Sequence, residues 1–295
     1  MTRLKLFLGA CFLNLTIAGY GAAPELRIGA IPDQDPEKVA RLNGLLGSWL
    51  EDKLQTKVTF VPVIDYAAAV TAFRVGDLDL VWFGGLTGVQ ARRFVPGARA
   101  IIQRDIDRKF HSVFIASSGS GLRPISAQKD LKVLKGKRFT FGSQSSTSGR
   151  LMPRFFLEEA GVSPKDFAGR PGFSGSHDKT LRLVESGTYE AGVLNEQVWL
   201  ARLQSGKVDT KKVRVIWRTP PYFDYHWVLH PQVKERLGPG ADEKIRQAFL
   251  DLDPARAPDK KILDLFGAKK FIPTGNANYA AIEKIGISLG MVKKL

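Results

Sequence analysis

From Leu26 onward the chain alternates short β-rich runs with stretches whose apolar residues recur every three or four positions. LRIGAI (26–31) reads as a strand, and Asp35-Pro36 supplies an N-cap and a first-turn proline for the helix that follows. Val39, Leu42, Leu45, Leu46, Trp49, Leu50 and Leu54 keep spacings of three and four, which predicts an amphipathic helix over 36–54. VTFVPV (58–63) is the next strand. Asp65 caps DYAAAVTAFRVGD, a helix that Gly76 ends, and LDLVWF (78–83) leads into Gly84-Gly85 and a helical stretch to Phe94. Strands and helices in alternation with short loops predict a parallel sheet in an α/β domain.

The pattern resumes after a change of direction near HSVFIASS (111–118). RFTFG (138–142), YEAGVL (189–194) and RVIWRT (214–219) read as strands, and SHDKTLRLVESG (176–187) as a capped helix. In SSTSGRLMPRFFLEEAG, Pro153 either starts the main helix or kinks it one turn in. After Pro220-Pro221 come the strand WVLHP (227–231) and a mainly helical C-terminal third. No period of 20 to 50 residues recurs, which excludes a solenoid. The expectation is two α/β lobes.

Composition changes this picture little. Of 295 residues 44% are hydrophobic and 25% charged, as in ordinary globular proteins, so disorder and a multi-span membrane protein are excluded. The single cysteine, Cys11, rules out an intrachain disulfide and a cysteine-type zinc site. The formal charge of +15 favours anionic partners without choosing among nucleic acid, membrane and small oxyanions.

The N-terminus makes that choice. Arg3 and Lys5 precede an apolar stretch from Leu6 to Ile17, followed by small residues Gly19, Gly21, Ala22 and Ala23, the plan of a secretory signal peptide over 1–23. The stretch is too short for a spanning helix, which needs about 20 residues. Export to the periplasm speaks against nucleic acid. Leu8-Gly9-Ala10-Cys11 also resembles a lipoprotein box, so a lipid anchor at Cys11 is the alternative to cleavage near Ala23.

Candidate chemistry centres on GSQSSTSG (142–149), placed directly after a strand and opening a helix. Free amides at a helix N-terminus, with the hydroxyls of Ser145, Ser146, Thr147 and Ser148, make an anion site. The plain alternative is an N-cap serine in a solvated turn.

LRIGAIP, DYAAAV, GDLDLVWFGG, LKGKRFTFGSQSSTSG and GSHDKTL, in this order behind a signal segment, resemble the periplasmic solute-binding proteins of ABC transporters. They are most similar to the phosphonate, phosphite and phosphate branch. QRDIDRKFHSVFI (103–115) further resembles a subgroup assigned to selenate uptake. The resemblance implies a type II periplasmic binding protein, two α/β lobes joined by two crossovers with the ligand in the interlobe cleft. Lobe one then comprises 24–112 plus 222–295, and lobe two 113–221. It also implies capture of a small tetrahedral oxyanion for an inner-membrane ABC permease, by a monomer without cofactor or metal.

By the same resemblance Ser146, Thr147 and Ser148, with Ser145 beside them, bind anionic oxygens, joined by Tyr66, His177 and Asp224. Trp82, Phe83, Lys109 and Glu196 are further candidates. Each has a bland reading: Tyr66 as the first position of a capped helix, Trp82 and Phe83 as core, His177 as a backbone partner, and Arg104, Arg108 and Lys109 as a solvated charge run. Around Lys109-Phe110-His111 the chain departs from the family's aromatic before the first crossover, which argues against a ligand with an organic tail.

Protons separate the candidate ligands. Sulfate and selenate are fully deprotonated at neutral pH and want donors only, whereas phosphate, phosphite and phosphonates can offer a proton to a carboxylate. If Asp224 points into the cleft unpaired, hydrogen-bearing anions gain. If it pairs with Arg218 or another cation, selenate stays open. Two rival classes remain. A ligand sensor for a signalling receptor would use the same fold. A secreted serine hydrolase would need a G-x-S-x-G elbow, which neither GSQSS (142–146) nor GFSGS (172–176) provides.

Overall fold

The computed structural model describes residues 24–294, so the signal segment, Cys11 and the cleavage position lie outside the described residues. The chain opens with β1 (Glu25–Ala30), β2 (Lys57–Phe60), β3 (Leu80–Phe83) and β4 (Arg99–Arg104). It then crosses to a second sheet made of β5 (Ser112–Ser117), β6 (Phe139–Phe141), β7 (Gly172–Phe173), β8 (Ala191–Asn195) and β9 (Val213–Arg218). It returns to the first sheet with β10 (His226–Leu229) and β11 (Phe271–Pro273). Strand orders are β11-β4-β10-β3-β1-β2 and β7-β6-β8-β5-β9. Each sheet with its helices forms a lobe.

β1, β2 and β3 pair in parallel as the alternation predicts, with Ile28 opposite both Phe60 and Leu80. The rest of the first sheet departs from the parallel expectation. β10 returns from the second lobe and inserts antiparallel between β3 and β4. The cause is topological, since a strand entering from the far lobe runs against those that lead out of the near one. All four residues of β3 are buried, as befits a strand flanked on both edges and covered on both faces.

The predicted helices form for the predicted reasons. The Asp35 carboxylate accepts the Glu37 amide at the start of helix Pro36–Leu54, which turns Leu46, Trp49 and Leu50 into the core. Asp65 likewise accepts the Ala68 amide at 2.7 Å, and helix Tyr66–Arg74 buries Tyr66, Ala69, Val70 and Phe73.

Of the two readings of Pro153 the first holds, since it stands second in the first turn of the main helix. A π-helical turn, Thr147–Leu151, precedes helix Met152–Glu159. Proline has no N–H for the Gly149 carbonyl four residues back, and the Gly142 amide takes that carbonyl instead at 2.8 Å. The Gly/Ser segment is thereby closed on itself, with Gly142 and Gly149 too close for side chains. A Cβ on Gly149 would lie 3.1 Å from the Gly142 Cα and 2.9 Å from Ser146 Oγ.

The two crossovers run side by side between the lobes. Phe110 and Tyr222 exchange both backbone bonds, at 2.8 and 3.0 Å. The Thr219 amide donates to Ser112 O and the Asp224 amide to Asp107 O, each at 3.0 Å. This pairing delivers Asp224 to the foot of the cleft.

Candidate functional site

Four elements converge between the lobes. Helix Tyr66–Arg74 contributes Tyr66 from the first lobe and the second crossover contributes Asp224. The π turn and its capping residue bring Thr147, Ser148 and Ser146, and helix His177–Glu185 brings His177. All six are at most 2% exposed. A Cβ on Gly84 would lie 3.2 Å from both Asp224 Oδ1 and Thr147 Oγ1, and one on Gly149 would lie 3.2 Å from His177 Cε1.

Hydrogen bonding divides these residues into two groups. Ser146 Oγ accepts the Gly149 amide at 2.8 Å as a helix cap, which leaves its hydroxyl proton to donate elsewhere. Thr147 Oγ1 accepts the Leu86 amide at 2.8 Å, a bond from lobe to lobe. Asp224 Oδ1 accepts the Gly85 amide at 2.8 Å. By contrast Tyr66 Oη, Ser148 Oγ and Asp224 Oδ2 are buried without a partner. Among the described residues only two other side-chain atoms, Asn43 Oδ1 and Trp227 Nε1, share that condition. Buried polar groups are nearly always satisfied, so three unsatisfied atoms on residues gathered at one cleft mark a place shaped for a polar guest.

Charge follows the same plan. Burial, only partly offset by the Gly85 amide, pushes the Asp224 carboxyl up to about 7. Arg218, the cation considered for it, pairs instead with Glu196. Burial, then the charges of Asp33 and Asp224, raise Tyr66 well above the usual phenol range, so it remains a donor. Burial lowers His177. Its Nδ1 accepts the Asn195 amide at 3.3 Å, which places the ring proton on Nε2, facing the Tyr225 hydroxyl at 3.3 Å. Tyr225 in turn donates to Asp33 Oδ2 at 2.8 Å and accepts from Asn195 Nδ2 at 3.1 Å.

The remaining candidates stand apart from this cluster. Lys109 is exposed, as is Arg108, because the short helix Asp105–Lys109 turns both to solvent. Arg104 alone of that run is buried, paired with Asp107 at 2.6 Å. Ser145 is half-buried outside the enclosed serines. Phe83 is core, packed edge-on against Phe73. Glu196 is engaged by Arg218. Trp82 stacks on Tyr225 at 5.6 Å and lines a neighbouring interlobe cavity of about 430 Å³ that Asp33, Asn43 and Arg104 also border.

Sequence reasoning missed Gly84, Gly85, Asp33, Asn195 and Tyr225. Tyr222 and Tyr225 flanking Asp224 after the Pro-Pro pair were the available signal.

Comparison with known proteins identifies the family. Residues 28–279 match the model of the family described as ABC transporter, phosphonate, periplasmic substrate-binding protein. The chain belongs to that family. A probable ABC transporter phosphite binding protein, PhnD1 of Prochlorococcus marinus (strain MIT 9301), is 45% identical over 99% of this chain and 100% of the relative. The structure of PhnD1 from the same organism in complex with methylphosphonate superimposes with a TM-score of 0.90 at 47% identity, covering 91% of this chain and 99% of that one. The phosphonates-binding periplasmic protein of Escherichia coli (strain K12) is 25% identical over 81% of this chain and 69% of its own length.

As a member of this family the chain is a periplasmic substrate-binding protein that serves an ABC permease, a transport component and not an enzyme. Its two sheets and paired crossovers are the type II binding-protein fold.

Proposed function

We propose that the buried cluster captures a small tetrahedral oxyanion bearing an acidic hydrogen, of the phosphite or methylphosphonate kind for which the PhnD1 relative is named and was crystallised. Tyr66, Ser146 and Ser148 donate to the anion's oxygens, and His177, whose Nε2 proton faces Tyr225, lines the site. The amides of Thr147 and Ser148, which have no intrahelical carbonyl to bond, add the helix N-terminus. Asp224 Oδ2 accepts the ligand's proton. Thr147 bridges the lobes over the anion.

The observation that carries this reading is the unpartnered Asp224 Oδ2 among donors, with Arg218 bonded to Glu196 instead. A carboxylate there repels sulfate and selenate, which have no proton to share, and suits anions that do.

Lobes of 24–112 plus 222–295 and of 113–221 would then close about the crossovers as a monomer after removal of residues 1–23. Calorimetry of the mature protein tests the ligand. Phosphite and methylphosphonate are expected to bind, sulfate and selenate not. Selenate binding as tightly as phosphite would remove Asp224 from the role of proton acceptor.

A further inference from the structure

Beside the anion cluster, at the start of helix His177–Glu185, a second set of bonds joins the lobes. The His177 amide donates to Asp33 O at 3.0 Å. Next to it the Asp35 amide donates to Asp178 Oδ2 at 2.8 Å. The Asp178 carboxylate is 4% exposed, and its other oxygen accepts Arg202 Nε at 2.7 Å from helix Glu196–Gln204 of the same lobe. Asp178 is thus aimed by a partner in its own lobe and spends its free oxygen on a backbone amide of the opposite one.

We propose that Asp178 is a closing latch, a positioning residue that holds the loaded protein shut without touching the ligand. The proposal rests on the interlobe anion site described above. Opening returns Asp178 Oδ2 and the Asp35 amide to water while the Arg202 pair stays intact, so the bond contributes to the closed form alone. Encounter takes place in the open form and release requires opening. Loss of the latch therefore speeds dissociation and leaves association unchanged. It also acts on every ligand by the same factor, which a contact residue does not. A charge-assisted bond of this kind corresponds to roughly a ten-fold change in release rate.

The bond can be cut from either side. Asp178→Ala removes the acceptor. Asp35→Pro removes the donor where the backbone already has φ −56° and ψ 127°, values proline accepts. Asp35→Ala keeps the N–H and loses only the carboxylate that caps Glu37, and so controls for the cap. Stopped-flow fluorescence on the mature chain, with phosphite and methylphosphonate as probes, reads both rates.

The latch predicts roughly ten-fold faster release of both anions in Asp178→Ala and in Asp35→Pro, no further gain in the double variant, and wild-type release in Asp35→Ala. Equal release from Asp35→Pro and Asp35→Ala overturns the latch even if Asp178→Ala fails to fold. If the wild type binds neither anion, the site reading falls first and takes the latch with it.

Discussion

The amide of Gly85 donates to one carboxylate oxygen of Asp224 at 2.8 Å, and the other oxygen, equally buried, meets no partner. Half of this carboxylate is therefore fixed by the fold and half is left for something the fold does not supply. A single hydrogen bond does not offset the loss of water, which is why burial holds this carboxyl at about 7.

That position has a consequence for stability without ligand. An unfolded chain ionises its aspartates near pH 4, whereas folded Asp224 keeps its proton to about 7. The folded form binds the extra proton across this interval, so the contribution of Asp224 is full below about pH 4, falls as pH rises and is gone above about 7. Burial lowers His177 and His226, whose contributions run the other way and fade as pH falls below their unfolded value. The difference between wild type and Asp224→Asn isolates the carboxyl. Melting temperatures taken from pH 4 to 8 are expected to show the variant gaining on the wild type up to pH 7 and running parallel beyond it.

Asp224→Asn also inverts the choice of anion. The Gly85 amide obliges the asparagine oxygen to occupy the Oδ1 position, so its NH2 replaces Oδ2 and donates into the cluster. Phosphite binding is expected to weaken by roughly 1.5–3 kcal/mol, the cost of losing a charge-assisted bond. Sulfate and selenate, which need donors only, should bind the variant and not the wild type. Calorimetry with the four anions at pH 8, above the value of about 7 at which Asp224 ionises, checks both directions, and sulfate affinity unchanged by the substitution would count against the carboxylate as discriminator.

The hydroxyls divide by the same accounting. Tyr66 Oη and Ser148 Oγ bond nothing in the fold, so Tyr66→Phe and Ser148→Ala should leave the ligand-free melting temperature unchanged or higher. Each should still weaken phosphite binding by about 1–3 kcal/mol. Ser146→Ala is expected to lose on both counts, because Ser146 Oγ also caps the Gly149 amide, a contact typically contributing about 1 kcal/mol. Thermal melts with and without phosphite separate the two patterns.

How far the chain could be read beforehand follows from where each signal resides. Helix Pro36–Leu54 and the Asp65 cap are local, written in spacings of three and four and in single capping residues, and they appear where the pattern puts them. The serine turn was legible for the same reason. The antiparallel entry of β10 and the Phe110–Tyr222 pairing join residues over a hundred positions apart, and no local period encodes them. Lys109 and Arg104 show the limit best. Both are cations of one short run, yet Asp107 folds Arg104 inward at 2.6 Å while Lys109 turns outward. Asp33 and Tyr225 became recognisable only once the crossovers had brought their side chains to 2.8 Å.

Gly84 supplies a test of closure at a residue with no side chain of its own in the anion cluster. It precedes the helix Gly85–Phe94 with φ −74°, which any residue tolerates, so its reason for being glycine is space. A Cβ there would lie 3.2 Å from Thr147 Oγ1 of the opposite lobe and 3.2 Å from Asp224 Oδ1. Both oxygens are tethered, by the Leu86 and Gly85 amides, and neither can retreat without losing its bond. Gly84→Ala sets the extra methyl against Asp224 in either form, since both belong to the first lobe, and against Thr147 of the opposite lobe in the closed form alone. The ligand-free protein should melt somewhat lower than the wild type, from the Asp224 contact, and the closed form should lose more. Affinities for phosphite and methylphosphonate should fall by a common factor, roughly ten-fold for a closed-state penalty near 1.4 kcal/mol. Small-angle scattering at saturating phosphite should show a larger radius of gyration than the loaded wild type. A selective loss of one anion at unchanged radius would instead place Gly84 against the ligand itself.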